Sequence, residues 1–388
     1  MRITEHLFAS EAFSKLVSTL RAGLVPCSLF GVPESLKPHL ASAVSRKLRR
    51  SVIVICSSDA AASAFADALQ GSVLLLRRAL QLRSSVARSR EVMFKRIKAL
   101  SAVAFGSAHT VFTSEEAVCA RLASPDDFRT AHLHIKKDAA YDPELLMQNL
   151  VLSGYERVSA VETAGQAARR GEILDVFCPG NVAPYRIDFF DNIVETIHTF
   201  DPATQRRGRE AFNEAVLPPA VELTLSNETA QQAAQFFSSA KPQSALLSQR
   251  YERYAEQLLG QRYFEDLESF AYIACGQSIF DYMPDALVMF DDYKHIKEAA
   301  ERRAEDFAEQ LGKLIETGES DPGQHALYHP FEALRARAVS LGAIDICTVG
   351  KAADLKPKSE VTFHAKSALS YNRKLEILKE DVAFFEPE

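Results

Sequence analysis

The chain has 388 residues, 47 % hydrophobic and 25 % charged, with a formal net charge of −6. That length accommodates about two to four domains of ordinary globular composition. The acidic balance excludes a surface that binds polyanions everywhere, so any nucleic-acid contact has to come from a local patch.

In chain order, Phe13, Leu16, Val17 and Leu20 have the spacing of an amphipathic helix. Residues 26–31 form a short apolar run ending in Gly31, and Pro38 is placed to start a helix carrying Leu40, Ala43, Val44 and Leu48 on one face. Residues 51–56 (SVIVIC) predict a buried strand, 60–69 a helix and 72–76 a strand; 110–113 and 132–135 are further strand candidates. Continuous apolar strands alternating with helices predict a parallel sheet covered on both faces, in an α/β unit reaching residues 131–135.

Asp142 predicts the cap of a helix over 143–152. Residues 153–207 then alternate apolar and polar side chains through 171–176, 185–190 and 193–200, with breaks at Pro179-Gly180 and Asp191-Asn192. That is the pattern of short antiparallel strands, an α+β insertion that closes near Pro218-Pro219. Within 185–190 a period of two places Tyr185, Ile187 and Phe189 on one face and Arg186, Asp188 and Phe190 on the other. The second face reads either as a docking surface or as a solvated sheet face with one stray aromatic. From residue 220 the pattern returns to mixed α/β: a helix over 228–237, a strand over 286–290 ended by Asp291-Asp292, a long helix over 294–315 and a strand over 344–349. Residues 351–388 are polar and weakly periodic.

Strand, glycine, helix is the order of a phosphate-binding loop, for which the pattern is GxxxxGK[ST]. Residues 31–38 read GVPESLKP, so Gly31 and Lys37 fit. Leu36 replaces the glycine that lets amides close on phosphate, Pro38 replaces the Mg²⁺-binding hydroxyl, and Glu34 adds a negative charge. The loop is read as one of phosphate-loop ancestry that holds no nucleotide, and no cofactor is expected. Asp291 and Asp292 loosely fit the Mg²⁺-positioning acids of such a site, and read more simply as solvent-exposed acids ending a strand.

Arg77, Arg78, Arg83, Arg88, Arg90, Lys95, Arg96 and Lys98 cluster with one acid, Glu91. They read as a helix face that is solvated or paired with acids elsewhere, with a weak DNA contact or a partner's acidic surface as the alternative. Stacking support for bases is poor: Phe94 is the aromatic within the cluster, and the chain has no Trp. His132 and His134 share a strand face and His325 and His329 are spaced HxxxH, but neither pair has a third ligand nearby, so no metal is expected. The six cysteines contain no CxxC pair and predict buried thiols. No nucleophile stands out. No apolar run approaches the ~18 residues of a membrane span, and the acids near the N-terminus are unlike a signal peptide, so a cytoplasmic protein is expected.

The stretches GYERVSAVETAGQAARRGEILDVFCPG, PYRIDFFDNIVETIHTFD and DPATQRR resemble the module shared by the bacterial excision-repair protein UvrB and the transcription-repair coupling factor Mfd. The degenerate phosphate loop, and the lack of tyrosine after Leu76 where UvrB has a Tyr-rich hairpin, favour the N-terminal UvrB-like module of the coupling factor family. The resemblance implies a helicase-like parallel-sheet α/β fold with an inserted α+β domain: domain 1A over 1–131, domain 2 over 132–218, domain 1B over 219–350, and 351–388 as a linker or the start of a further domain. It implies a catalytically silent platform for UvrA, contacted through Arg170, Arg186 and Phe190. Glu172, where the family often has a small residue, places an acid beside Arg170. The family binds RNA polymerase and moves on double-stranded DNA with ATP and Mg²⁺ through other domains, so the chain reads as a fragment or truncated product. An ATP-dependent DNA-handling enzyme of UvrB type is the alternative.

Overall fold

The computed structural model describes residues 2–78, 90–242, 244–260, 265–347 and 355–365. The chain first lays down strands β1 (Cys27–Phe30), β2 (Val52–Cys56), β3 (Val73–Leu75) and β4 (Thr110–Ser114). It then leaves for β5 (Leu133–Lys136), β6 (Glu156–Arg157), β7 (Gln166–Arg170), β8 (Ile173–Val176), β9 (Tyr185–Phe190), β10 (Ile193–Phe200), β11 (Arg207–Ala211) and β12 (Glu214–Leu217). After a helical stretch it returns to the first sheet as β13 (Leu287–Asp291), β14 (Ala343–Cys347) and β15 (Ser359–Thr362).

The first sheet has seven parallel strands in the order β15-β1-β14-β13-β2-β4-β3. Its interior strands are buried along most of their length and largely apolar, because both faces are covered. Along β2, Ile53 and Ile55 point into one core with Val111, Val288 and Phe290, while Val52, Val54 and Cys56 point into the opposite core with Leu287, Met289 and Ile344. β13 and β14 lie between β1 and β2, so the stretches read as 1A and 1B build one parallel sheet around the insertion. Within 351–388, read as a linker or the start of a further domain, residues 359–362 pair with β1 as the sheet's edge strand β15. Only Val361 of its four residues is buried, which is too faint a pattern to stand out in a polar stretch.

Residues 132–135 do not join the parallel sheet as expected. β5 pairs antiparallel with β12 in a two-stranded ladder where the chain enters and leaves the insertion. His134 and Lys136 alternate with buried Ile135 there, a half-exposed pattern that an interior parallel strand would not tolerate. The insertion's own sheet runs β11-β10-β9-β8-β7-β6, antiparallel except between β6 and β7. Helix Pro143–Leu152, capped by Asp142 Oδ1 on the amides of Glu144 and Leu145, covers one face through Met147 and Leu150. Between β12 and β13, helices Asn227–Ser239 and Ala245–Leu259 enclose an aromatic cluster of Phe237, Tyr251, Tyr254 and Phe270. The second of these helices was not predicted from the sequence.

Among the described residues no helix is long and apolar enough to cross a membrane, and no group of three His, Cys, Asp or Glu is placed to hold a metal. All six cysteines are buried and unpaired with one another.

Candidate functional site

The inserted sheet has one face sealed by a helix and one face partly open, and the open face carries the residues of interest. Gly171-Glu172 closes the β7–β8 hairpin with Arg170 opposite Ile173, and Asp191-Asn192 closes the β9–β10 hairpin with Phe190 opposite Ile193. Gly171 takes a left-handed φ of 62° in the first turn, which a glycine adopts without a Cβ clash. The amide of Phe189 donates to the carbonyl of Glu172 at 2.8 Å, so both turns sit at the same end of the sheet. Strand register then aligns Arg170, Ile173 and Asp188 in one row, with Ala168, Asp175, Arg186 and His198 in the next.

Phe190 is 67 % exposed beside exposed Ile193, while its neighbour Phe189 is buried on the helix side. The period-two assignment of faces therefore holds at the tip. The two arginines are less free than the sequence implies. Both bind Asp175, which is fully buried at the centre of β8. Arg186 donates from Nε to Oδ1 at 2.7 Å and from Nη2 to Oδ2 at 2.8 Å, a two-pronged pair. Its guanidinium also lies 4.3 Å from the ring centroid of Phe200. Arg170 donates to Oδ2 at 2.6 Å and keeps 44 % of its side chain in solvent, against 14 % for Arg186. Gln205 braces both arginines from above. Its backbone carbonyl accepts from Arg186 at 3.2 Å, and its side-chain amide donates to the carbonyls of Val161 and Pro202.

The bond to Asp175 outweighs burial and holds the Arg186 guanidinium above its ordinary pKa. Glu172 is not the partner of Arg170; the acid that neutralises it is Asp175, two places beyond the start of β8. Asp188 accepts from the Thr196 hydroxyl at 2.5 Å and lies 3.5 Å from His198 Nδ1. Burial first, then Arg207 and Arg186, push His198 below its ordinary pKa, so it stays neutral inside this row. Asp175 and Gln205 escaped the sequence reading. A lone acid inside the apolar run Ile-Leu-Asp-Val was the available signal, since a buried carboxylate requires a cationic partner.

At the phosphate-loop position, Lys37 is buried, with Nζ 2.5 Å from Asp291 and 2.5 Å from Glu34. Burial pulls the ammonium's pKa down, but the two acids outweigh it and hold it above its ordinary value. At Asp291 burial wins over the lysine and raises the carboxyl. Asp291 is therefore not the solvent-exposed acid expected from the sequence, and Asp292 caps helix Tyr293–Glu316 by accepting from the His295 amide. Above Gly31, which has φ 69°, lies the carbonyl oxygen of Phe363, in the space a Cβ would need.

The basic cluster after β3 is broken up by the fold. Arg78 and Arg96 are buried on Glu222, which accepts at 2.5–2.7 Å from both. Burial would raise Glu222, but the two arginines outweigh it and bring its pKa down to about 2. Arg77 pairs with Glu116 and Lys95 with Glu91, Arg90 lies 4.0 Å from Glu156, and Lys98 is exposed. Arg83 and Arg88 lie outside the described residues. His132 is buried between Ser101 and the Phe128 carbonyl, His134 faces Glu214, and His329 bonds the Gln277 carbonyl, so each ring is committed to its own partner.

The family model described as "UvrB interaction domain" matches residues 133–223. The chain is 26 % identical to the transcription-repair-coupling factor of Bacillus subtilis over 330 residues, covering 80 % of the chain and 28 % of that protein. It is 29 % identical to the Myxococcus xanthus factor over 231 residues (56 % of the chain, 19 % of the relative). With the Staphylococcus epidermidis factor it shares 26 % over 259 residues (63 % and 22 %). The chain thus spans about a quarter of the length of these curated relatives. The inserted sheet thus matches the UvrB interaction domain, and the chain is similar to transcription-repair-coupling factors over 56–80 % of its length.

Proposed function

We propose that this chain is a protein-docking module that recruits UvrA in transcription-coupled nucleotide excision repair in the cytoplasm, with the inserted domain as the docking element and no catalysis of its own. The observation that carries this reading is the solvent-facing Phe190, at the same end as Arg170 of a sheet that lies within the matched UvrB interaction domain. An exposed aromatic sharing a sheet end with a half-exposed arginine has the composition of an interface anchor. Arg186 contributes from below, by holding its row in place and offering its remaining edge. Binding of RNA polymerase, and ATP-driven movement along duplex DNA with Mg²⁺, are read as the work of other domains of the coupling factors.

The test is capture of the chain by UvrA. Phe190→Ala removes an exposed ring, so it leaves the fold intact, and it is expected to cost about 2 kcal/mol, or ~30-fold in affinity. Arg170→Ala is expected to act in the same direction more weakly. Arg186→Ala is a poorer probe because it strips Asp175 of its two-pronged partner and confounds binding with folding. Undiminished capture of both Phe190→Ala and Arg170→Ala would remove the assignment.

We further propose that no nucleotide is held at residues 31–38. The support is the lysine bound to two carboxylates and the Phe363 backbone seated on Gly31. Titration of ATP with Mg²⁺ into the chain in a calorimeter is expected to give no binding heat. Binding that disappears in Lys37→Ala would instead favour the UvrB-type enzyme.

A further inference from the structure

Whereas the cluster after β3 is largely consumed by internal acids, a second basic run is left open. Residues 46–50 read Arg-Lys-Leu-Arg-Arg. Helix Lys37–Leu48 carries Arg46 and Lys47 in its last turn, and Arg49 follows in left-handed backbone with φ 55°. Helix Glu11–Arg21 ends nearby on Arg21. Two hollows meet here: one is walled by Phe8, Arg21 and Lys47, the other by Ser42, Ser72 and His109, and both share Arg46 and Arg49 as a common wall. They form one trough at the N-terminal edge of β2, β3 and β4, the opposite edge of the sheet from Lys37 and Asp291.

Arg21, Arg46, Lys47 and Arg49 are exposed, and none has an acidic partner among the described residues. Arg50 is different: it is tied down by the backbone carbonyls of Asp285 and Leu341, both at 2.9 Å. Two helix C-termini contribute about one unit of negative charge between them, roughly 0.5 each. That accounts for a preference for cations at the site but leaves about three positive charges unneutralised, in a chain whose net charge is −6. The one large ring at the trough, Phe8, lies under Arg46 and Lys47, with the cations 5.8 and 5.5 Å from its centroid. Its apolar lining is limited to Phe8 under the cations and the half-buried Leu48 and Leu69, less than a protein-docking pocket offers. Cations with serine hydroxyls and no stacking platform suit phosphates of a duplex, whose bases stay inside the helix.

We propose that this trough binds the phosphate backbone of double-stranded nucleic acid without sequence preference. Four exposed cations against four phosphates give a dependence of log affinity on log salt with slope of about −3 to −4. The experiment is fluorescence anisotropy of a short labelled duplex of arbitrary sequence titrated with the whole chain at several salt concentrations. Arg46→Glu/Arg49→Glu is expected to weaken binding at least ~10-fold and to flatten the slope by about two, while Arg90→Glu/Lys95→Glu leaves both unchanged. If charge reversal disturbs folding, as judged by thermal unfolding, Arg46→Gln/Arg49→Gln gives the same direction with a smaller loss. The proposal is overturned by absence of binding at low salt, by a slope indifferent to the Arg46 and Arg49 substitutions, or by a polyglutamate peptide binding as tightly as the duplex. The last outcome would assign the trough to an acidic protein surface.

Discussion

Glu222→Ala is expected to destabilise the chain by roughly 3–5 kcal/mol, the usual cost of removing one partner from a buried ion cluster. Arg78 and Arg96 are both buried against this carboxylate, and Arg96 reaches the Leu76 carbonyl as well, so truncation would leave Arg96 without its carboxylate and Arg78 with only the field of Glu268. The same cluster makes stability depend on pH. The folded-state pKa of Glu222, about 2, lies below its ordinary 4.5, so the stabilisation is complete above pH 4.5 and is lost as pH falls from there to about 2. A shift of that size corresponds to roughly 3 kcal/mol, in line with the mutational figure. Urea unfolding at neutral pH and across the acid window checks both statements. A variant within about 1 kcal/mol of the parent at neutral pH would show that the cluster is relaxed or hydrated in solution. Because Glu222 follows the inserted domain while Arg78 and Arg96 precede it, loss of the cluster should loosen the chain's return into the parallel sheet.

Asp175→Asn is expected to weaken UvrA capture by ~10-fold or more, although Asp175 is fully buried and cannot touch a partner. The reason is positional. A carboxylate offers acceptors on both oxygens, and here these take two bonds from Arg186 and one from Arg170. An asparagine turns an N–H₂ toward one of those arginines, replacing an attraction by a repulsion. Arg186 would then lose its two-pronged partner, and Arg170, left with a 3.5 Å bond to Gln205, would swing free. A stability loss of about 2 kcal/mol should accompany this, below the range for fully buried pairs because Arg170 is half in solvent. Capture and thermal unfolding measured on the same sample separate the two effects. Full affinity in a folded Asp175→Asn protein would mean that the arginines work from flexible positions, and that Phe190 alone organises the contact.

Much of the architecture was readable from side-chain patterning. Apolar runs such as residues 51–56 and 286–290 are interior parallel strands, and the alternation over 185–190 and 193–200 is an antiparallel hairpin with Phe190 outward. The unread parts share a cause. Helix Ala245–Leu259 is rich in polar residues and owes its place to Tyr251 and Tyr254 reaching into an aromatic cluster assembled from distant segments. β15 shows one buried residue in four. A pattern that short carries little information until a neighbouring strand supplies the hydrogen bonds.

Local chemistry determined which side chains this protein has at each turn, the glycine at 171 and the asymmetry of the β9 faces, because backbone sterics and the period of a strand are properties of neighbours in sequence. It also exposed the missing glycine and hydroxyl at Leu36 and Pro38. What only the tertiary structure decided is where the charges are spent. Lys37 turns to Asp291 across the sheet, Arg78 and Arg96 turn to Glu222, and Arg170 and Arg186 converge on Asp175, while Arg46 and Arg49 are left facing solvent. Basic runs that look alike in one dimension differ in this way because a buried charge must find its counter-charge through space, and the partner's position along the chain says nothing about that distance.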